Sequence, residues 1–84
     1  MLFHITQVHS PEACPKGEGG SDSLFDASVE GVTLIGRYGA NAQHTIFFVV
    51  EADDVTAIQK FLWPSFERCT STITPVSEVP VPFD

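Results

Sequence analysis

Three histidines and two cysteines are the side chains of this 84-residue chain best suited to chemistry near neutral pH: His4, His9, His44, Cys14 and Cys69. Imidazole titrates close to physiological pH and binds transition ions. Thiolate is a nucleophile and a soft metal ligand. The chain has no CxxC motif, and its spacings match none of the standard structural metal sites. Any joint chemistry therefore depends on the fold bringing distant residues together.

The elements that position them are legible in the apolar pattern. Residues 2–9 alternate, with Phe3, Ile5 and Gln7 on one side and Leu2, His4, Thr6 and Val8 on the other, which predicts a strand. Ser10-Pro11 ends it, and residues 11–20, with two prolines and three glycines, read as loop. Ser21 or Asp22 is placed to cap a short helix through Leu24, Phe25, Ser28 and Val29 that ends at Gly31. Strands are predicted at Val32–Tyr38 and His44–Ala52, joined by a turn over residues 39–43. A second helix begins at Asp53 or Asp54. Its stripe of Val55, Ile58, Phe61, Leu62, Phe66 and Cys69 bends at Pro64, after Trp63. A last strand, Ser71–Val79, contains Pro75 and so belongs at a sheet edge.

The order β-α-β-β-α-β is the ferredoxin-like split-βαβ arrangement, an α+β fold. It implies a four-stranded antiparallel sheet ordered 4-1-3-2 with two helices on one face. A single domain is expected over residues 1–79, followed by an extended, polyproline-like tail at 80–84 that carries Phe83.

Composition bounds the partners. Four Lys and Arg against eleven Asp and Glu give a net charge of −7, which opposes binding to nucleic acid and to anionic membranes. With no apolar run near the ~20 residues of a membrane span, and no secretory leader pattern, the expectation is a cytoplasmic protein with reduced thiols.

Pairing the first strand with the third sets Phe3 and Ile5 beside Ile46, Phe48 and Val50, toward the helices. The other face shows His4, Thr6, Val8, Thr45, Phe47 and Val49. Phe47 and Val49 on an open face predict an association surface, and hence a homodimer in which His4 and Thr6 face a shared interior.

The opening MLFHI, the segment LIGRYGANAQHTIFFVVEADDVTAIQKFL and the closing ITPV resemble the dimeric α/β-barrel superfamily of ferredoxin-like domains. Within it the layout is similar to the muconolactone isomerase family and to small relatives. The chain departs in its shorter first helix and its Gly- and Pro-rich loop at 11–20. The resemblance implies a barrel formed by two copies with a ligand in or beside it. It does not choose among isomerases, cofactor-free monooxygenases, haem-degrading enzymes and proteins without known activity. No catalytic residue is carried over.

The leading functional expectation is a homodimer that binds a small, mostly apolar organic molecule and needs no cofactor; the alternatives are a transition-metal-binding module that uses the rim His and Cys residues, and a non-catalytic assembly protein. Proton transfer, as in isomerisation, or cofactor-independent oxidation is the matching chemistry. His4 is the candidate catalytic residue, against the competing reading of a hydrogen-bonded core histidine. Thr6, Arg37, Tyr38, Phe47 and Trp63 are the candidate ligand contacts. Arg37 alternatively pairs with one of the many acids, and Trp63 alternatively fills space at the Pro64 bend.

Topology also brings His9, Glu12, Cys14, His44 and Cys69 toward one end of the sheet. Three readings of that rim stand side by side. In the first, these are ordinary structural residues, with Cys69 in the core. In the second, His9, Cys14, His44 and Cys69 supply ligands for Zn, Cu or Ni. In the third, His9 or His44 is an acid or base in a polar binding rim.

Overall fold

Leu2, His4 and Thr6 are half covered while Phe3, Ile5 and Gln7 are buried, the period-two pattern of a strand with one face in a core. In the computed structural model, which describes residues 1–81, this strand is β1 (Leu2–His9). It is followed by β2 (Val32–Ala40), β3 (Thr45–Ala52), one α-helix, α1 (Val55–Phe61), and β4 (Cys69–Val76). The four strands form one sheet ordered β2-β3-β1-β4, and β1 runs antiparallel to both neighbours. This is the 4-1-3-2 order expected from the element sequence. Pro75 lies on the edge strand, the place in a sheet that tolerates a residue without an N–H.

The core lies between the sheet and α1. Ile5, Phe48 and Val50 from the sheet meet Ile58 and Phe61 from the helix, all essentially without exposure. Phe25, Phe48 and Phe61 make an aromatic cluster with centroids 5.2–5.9 Å apart. Asp54 caps α1 by accepting the Ala57 N–H at 2.9 Å.

Two helical expectations are corrected. The first helix is absent, and Gly20–Leu24 forms a 3-10 turn with no side-chain cap. Gly19 and Gly20 enter that turn at φ +102° and +62°. Asp26 then accepts both the Ser28 N–H and hydroxyl, at 2.9 and 2.6 Å, a local bond that competes with helical continuation. Leu24 still reaches the core, so the segment supplies its apolar contribution without helical geometry.

The second helix ends at Phe61 instead of bending and continuing. Pro64, which has no N–H to give to the carbonyl four residues back, sits in a separate 3-10 turn, Trp63–Ser65. Phe66 and Cys69 therefore leave the predicted stripe. Phe66 is 68% exposed and stacks on Trp63 at 4.8 Å. Cys69 opens β4, two residues ahead of the expected start at Ser71.

β2 carries a bulge. Leu34 pairs with Val50 and Gly36 with Val49, leaving Ile35 as the extra residue. The tail expectation falls mostly on residues 82–84, Phe83 among them, which lie outside the described residues. Among the described residues no helix is long and apolar enough to cross a membrane.

Candidate functional site

The rim at the C-terminal end of β1 is built by three segments. His9 is the last residue of β1, and its N–H donates to the His44 carbonyl at 3.1 Å. His44 ends the turn Asn41–Gln43 in the left-handed region, φ 51° and ψ 42°, with its own N–H bonded to the Asn41 carbonyl. A non-glycine residue seldom adopts that conformation, and histidine is among those that do so more often. The chain leaving β1 then folds back in a 3-10 turn at Pro11–Ala13, and the Cys14 N–H closes it on the Pro11 carbonyl at 3.3 Å. The result is that one ligand atom from each of His9, Cys14 and His44 lies within 4.8 Å of the others.

The electrostatics of this rim are unusual. His9 is only 8% exposed, and neither of its ring nitrogens has a hydrogen-bond partner; Nδ1 of His44 is likewise buried and unpartnered. The two rings meet edge to face, 5.3 Å between centroids, so they do not bond to each other. Burial first, then His44 and Arg68, hold His9 below the usual imidazole range, which favours the neutral ring. The three residues line a cleft of about 510 Å³ together with Lys16, Arg37 and Asn41.

Cys69 does not join this set. It lies opposite His9 in the β1–β4 ladder and packs against the core. Burial pushes its thiol up, partly offset by Arg68, and an uncharged thiol is a poor ligand and nucleophile. Glu12 stays exposed.

The opposite side of the sheet holds the second group of predicted residues. His4 pairs with Val49, Thr6 with Phe47, and Tyr38 also with Phe47, so all five side chains share one face. The His4 ring lies 5.7 Å from that of Phe47. Tyr38 is 65% exposed and Val8 46%, while Phe47 and Val49 are half-buried. Toward β4 the same face carries Thr70, Thr72 and Thr74, all exposed. Glu51 shares it too and is bound by the Met1 amino group.

Arg37 and Trp63 lie elsewhere. Alternation makes adjacent strand residues face opposite ways, so Arg37 and Tyr38 lie on opposite faces of the sheet, although both border the cleft at its end. The bulge at Ile35 decides which faces where: it returns Tyr38 to the open side and turns Arg37, paired with Phe48, toward the helix side. There Arg37 forms an ion pair with Asp22, and its guanidinium lies 5.1 Å from the Phe25 ring centroid. Trp63 is 64% exposed in the turn after α1.

Residue-type reasoning missed a buried polar link. Gln7, fully buried, donates to Ser65 at 2.7 Å and to Ser71 at 3.4 Å, while its Oε1 has no partner. The available signal was Gln7 itself, a polar residue in phase with Phe3 and Ile5.

A family model described as Domain of unknown function (DUF3303) matches residues 1–80. The chain belongs to the DUF3303 family. Neither a curated protein nor a solved structure matches it. For a DUF3303 domain, then, the fold positions two chemically distinct places: a His-Cys-His rim at one end of the sheet and an uncovered sheet face with one histidine.

Proposed function

We propose that this protein functions as a homodimer whose sheets pack face to face, as in the dimeric α/β-barrel superfamily it resembles. The chamber between them binds a small, mostly apolar organic molecule. The observation that carries the reading is the open face itself, where Tyr38, Phe47, Val49 and Val8 are left uncovered or half-covered beside His4 and Thr6. Large apolar side chains left open on one sheet face favour a partner, and a small core gains from one.

His4 and Thr6 are the polar groups in the middle of that face, and Tyr38 stands across Phe47 from Thr6. A single imidazole with hydroxyl neighbours suits one proton transfer, the step common to isomerisation and to cofactor-independent oxidation. Thr6, Tyr38 and Phe47 are the ligand contacts in this reading. Arg37 and Trp63, on other surfaces, are not part of it.

The test has two arms. Sedimentation at micromolar concentration is expected to show a dimer that Val8→Glu dissociates. A thermal-shift screen of aromatic acids and lactones is expected to find a stabilising compound whose effect His4→Ala weakens. A monomeric wild-type chain overturns the chamber, and an indifferent His4→Ala removes His4 from it.

A further inference from the structure

We propose that His9, Cys14 and His44 form a binding site for a zinc-class divalent ion, held by two imidazoles and one thiolate, with the remaining coordination position open to the adjoining cleft. The site is separate from the sheet face and does not depend on dimerisation.

Convergence is the first support. The three donors come from the end of β1, from the loop that folds back after Pro11, and from the turn preceding β3, yet their ligand atoms lie within 4.8 Å of one another. Two nitrogens and one sulfur around a tetrahedral ion, with bonds of 2.0–2.3 Å, sit roughly 3.3–3.6 Å apart, so closure asks for at most about 1.5 Å of movement. A rotation of the Cys14 side chain, in a loop and only half-buried, is the simplest source of that movement.

The second support is independent of spacing. Buried polar atoms are almost always partnered, and an orphan calls for a missing partner. Here both ring nitrogens of His9 and Nδ1 of His44 are orphans in the same small volume. An ion bound among them takes one nitrogen of each ring, a partner that the protein does not supply.

The donor set selects the ion. Two nitrogens and one sulfur, with no carboxylate in the group, suit a borderline-soft transition ion and disfavour calcium and magnesium. Three protein ligands and a position facing a cleft is the open pattern, as distinct from the four-ligand closed pattern of purely structural zinc.

Cobalt(II) tests this on the untagged, reduced protein. One equivalent is expected to give a thiolate-to-cobalt absorption in the near ultraviolet and visible bands of tetrahedral type, both removed by added Zn²⁺. Cys14→Ser should abolish the thiolate band and Cys69→Ser should leave it intact. His44→Asn, which keeps a residue tolerant of left-handed backbone, should weaken binding by roughly tenfold or more, a loss seen even for outer-shell changes. Far-UV circular dichroism verifies that each variant is folded. Should Cys14→Ser fail to fold, alkylation of the wild type read by mass spectrometry replaces it: Zn²⁺ is expected to slow modification of Cys14 and not of Cys69. Absence of cobalt bands at millimolar metal, a thiolate band that survives in folded Cys14→Ser, or equal alkylation with and without Zn²⁺ would overturn the site.

Discussion

A buried glutamine and a buried serine show how single side chains are held in this small core. Gln7 lies in phase with Phe3 and Ile5, and its amide is satisfied chiefly by the Ser65 hydroxyl, which in turn donates to the Leu62 carbonyl at 2.8 Å. Ser65→Ala leaves that amide with only the 3.4 Å contact to Ser71. The expected loss is about 1–3 kcal/mol, the desolvation penalty of an unmade buried bond, read as a lower urea midpoint at unchanged slope. Equal stability of the two proteins would mean that Gln7 has another partner. At the same scale, geometry separates His9, grouped with Cys14 and His44, from Cys69, packed against the core, two residues that the sequence alone places together on the rim. One is a free donor at a cleft, the other a small apolar group of the core.

The elements explain how much was legible in advance. β1 alternates and β3 is an unbroken apolar run, so the faces of β1 followed from pattern, its pairing with β3 from the element order, and the edge position of β4 from that order and Pro75. The approach of His9 to His44 followed from antiparallel pairing. The bulge did not. In Val32-Thr33-Leu34-Ile35-Gly36-Arg37-Tyr38 the two consecutive apolar residues allow either phase, so nothing in residue type told Arg37 from Tyr38. Cys69 was misplaced because Phe66 and Cys69 continue a helical spacing across Pro64, while the missing N–H at Pro64 ends the helical ladder. Cys14 was placed near the rim only by chain proximity, since the 3-10 turn that delivers it has no apolar signature. Two outcomes test this scale. Asp54→Ala, which removes the cap of α1, should cost about 1 kcal/mol in chemical denaturation. In Gly36→Ala the added Cβ would lie 2.8 Å from the Tyr38 ring, whose exposed end moves readily. Fold stability should then stay within about 0.5 kcal/mol while self-association weakens, separating the open face from the core.

For the whole molecule, one sheet is covered on a single side by a seven-residue helix and two 3-10 turns, and in the proposed homodimer the partner's sheet supplies the missing cover. The thermal midpoint should therefore rise with protein concentration, as it does when folding is linked to dimerisation. Differential scanning calorimetry across a hundredfold range checks it, and a concentration-independent midpoint speaks for a self-sufficient monomer. The flanks of the sheet bear on the same question. Any third chain seeking to lengthen the ladder meets a kinked border at Ile35 on one side and a prolyl nitrogen with nothing to donate at Pro75 on the other. Both borders thus resist lateral pairing, and a fibril grown from this native state would first have to reshape them.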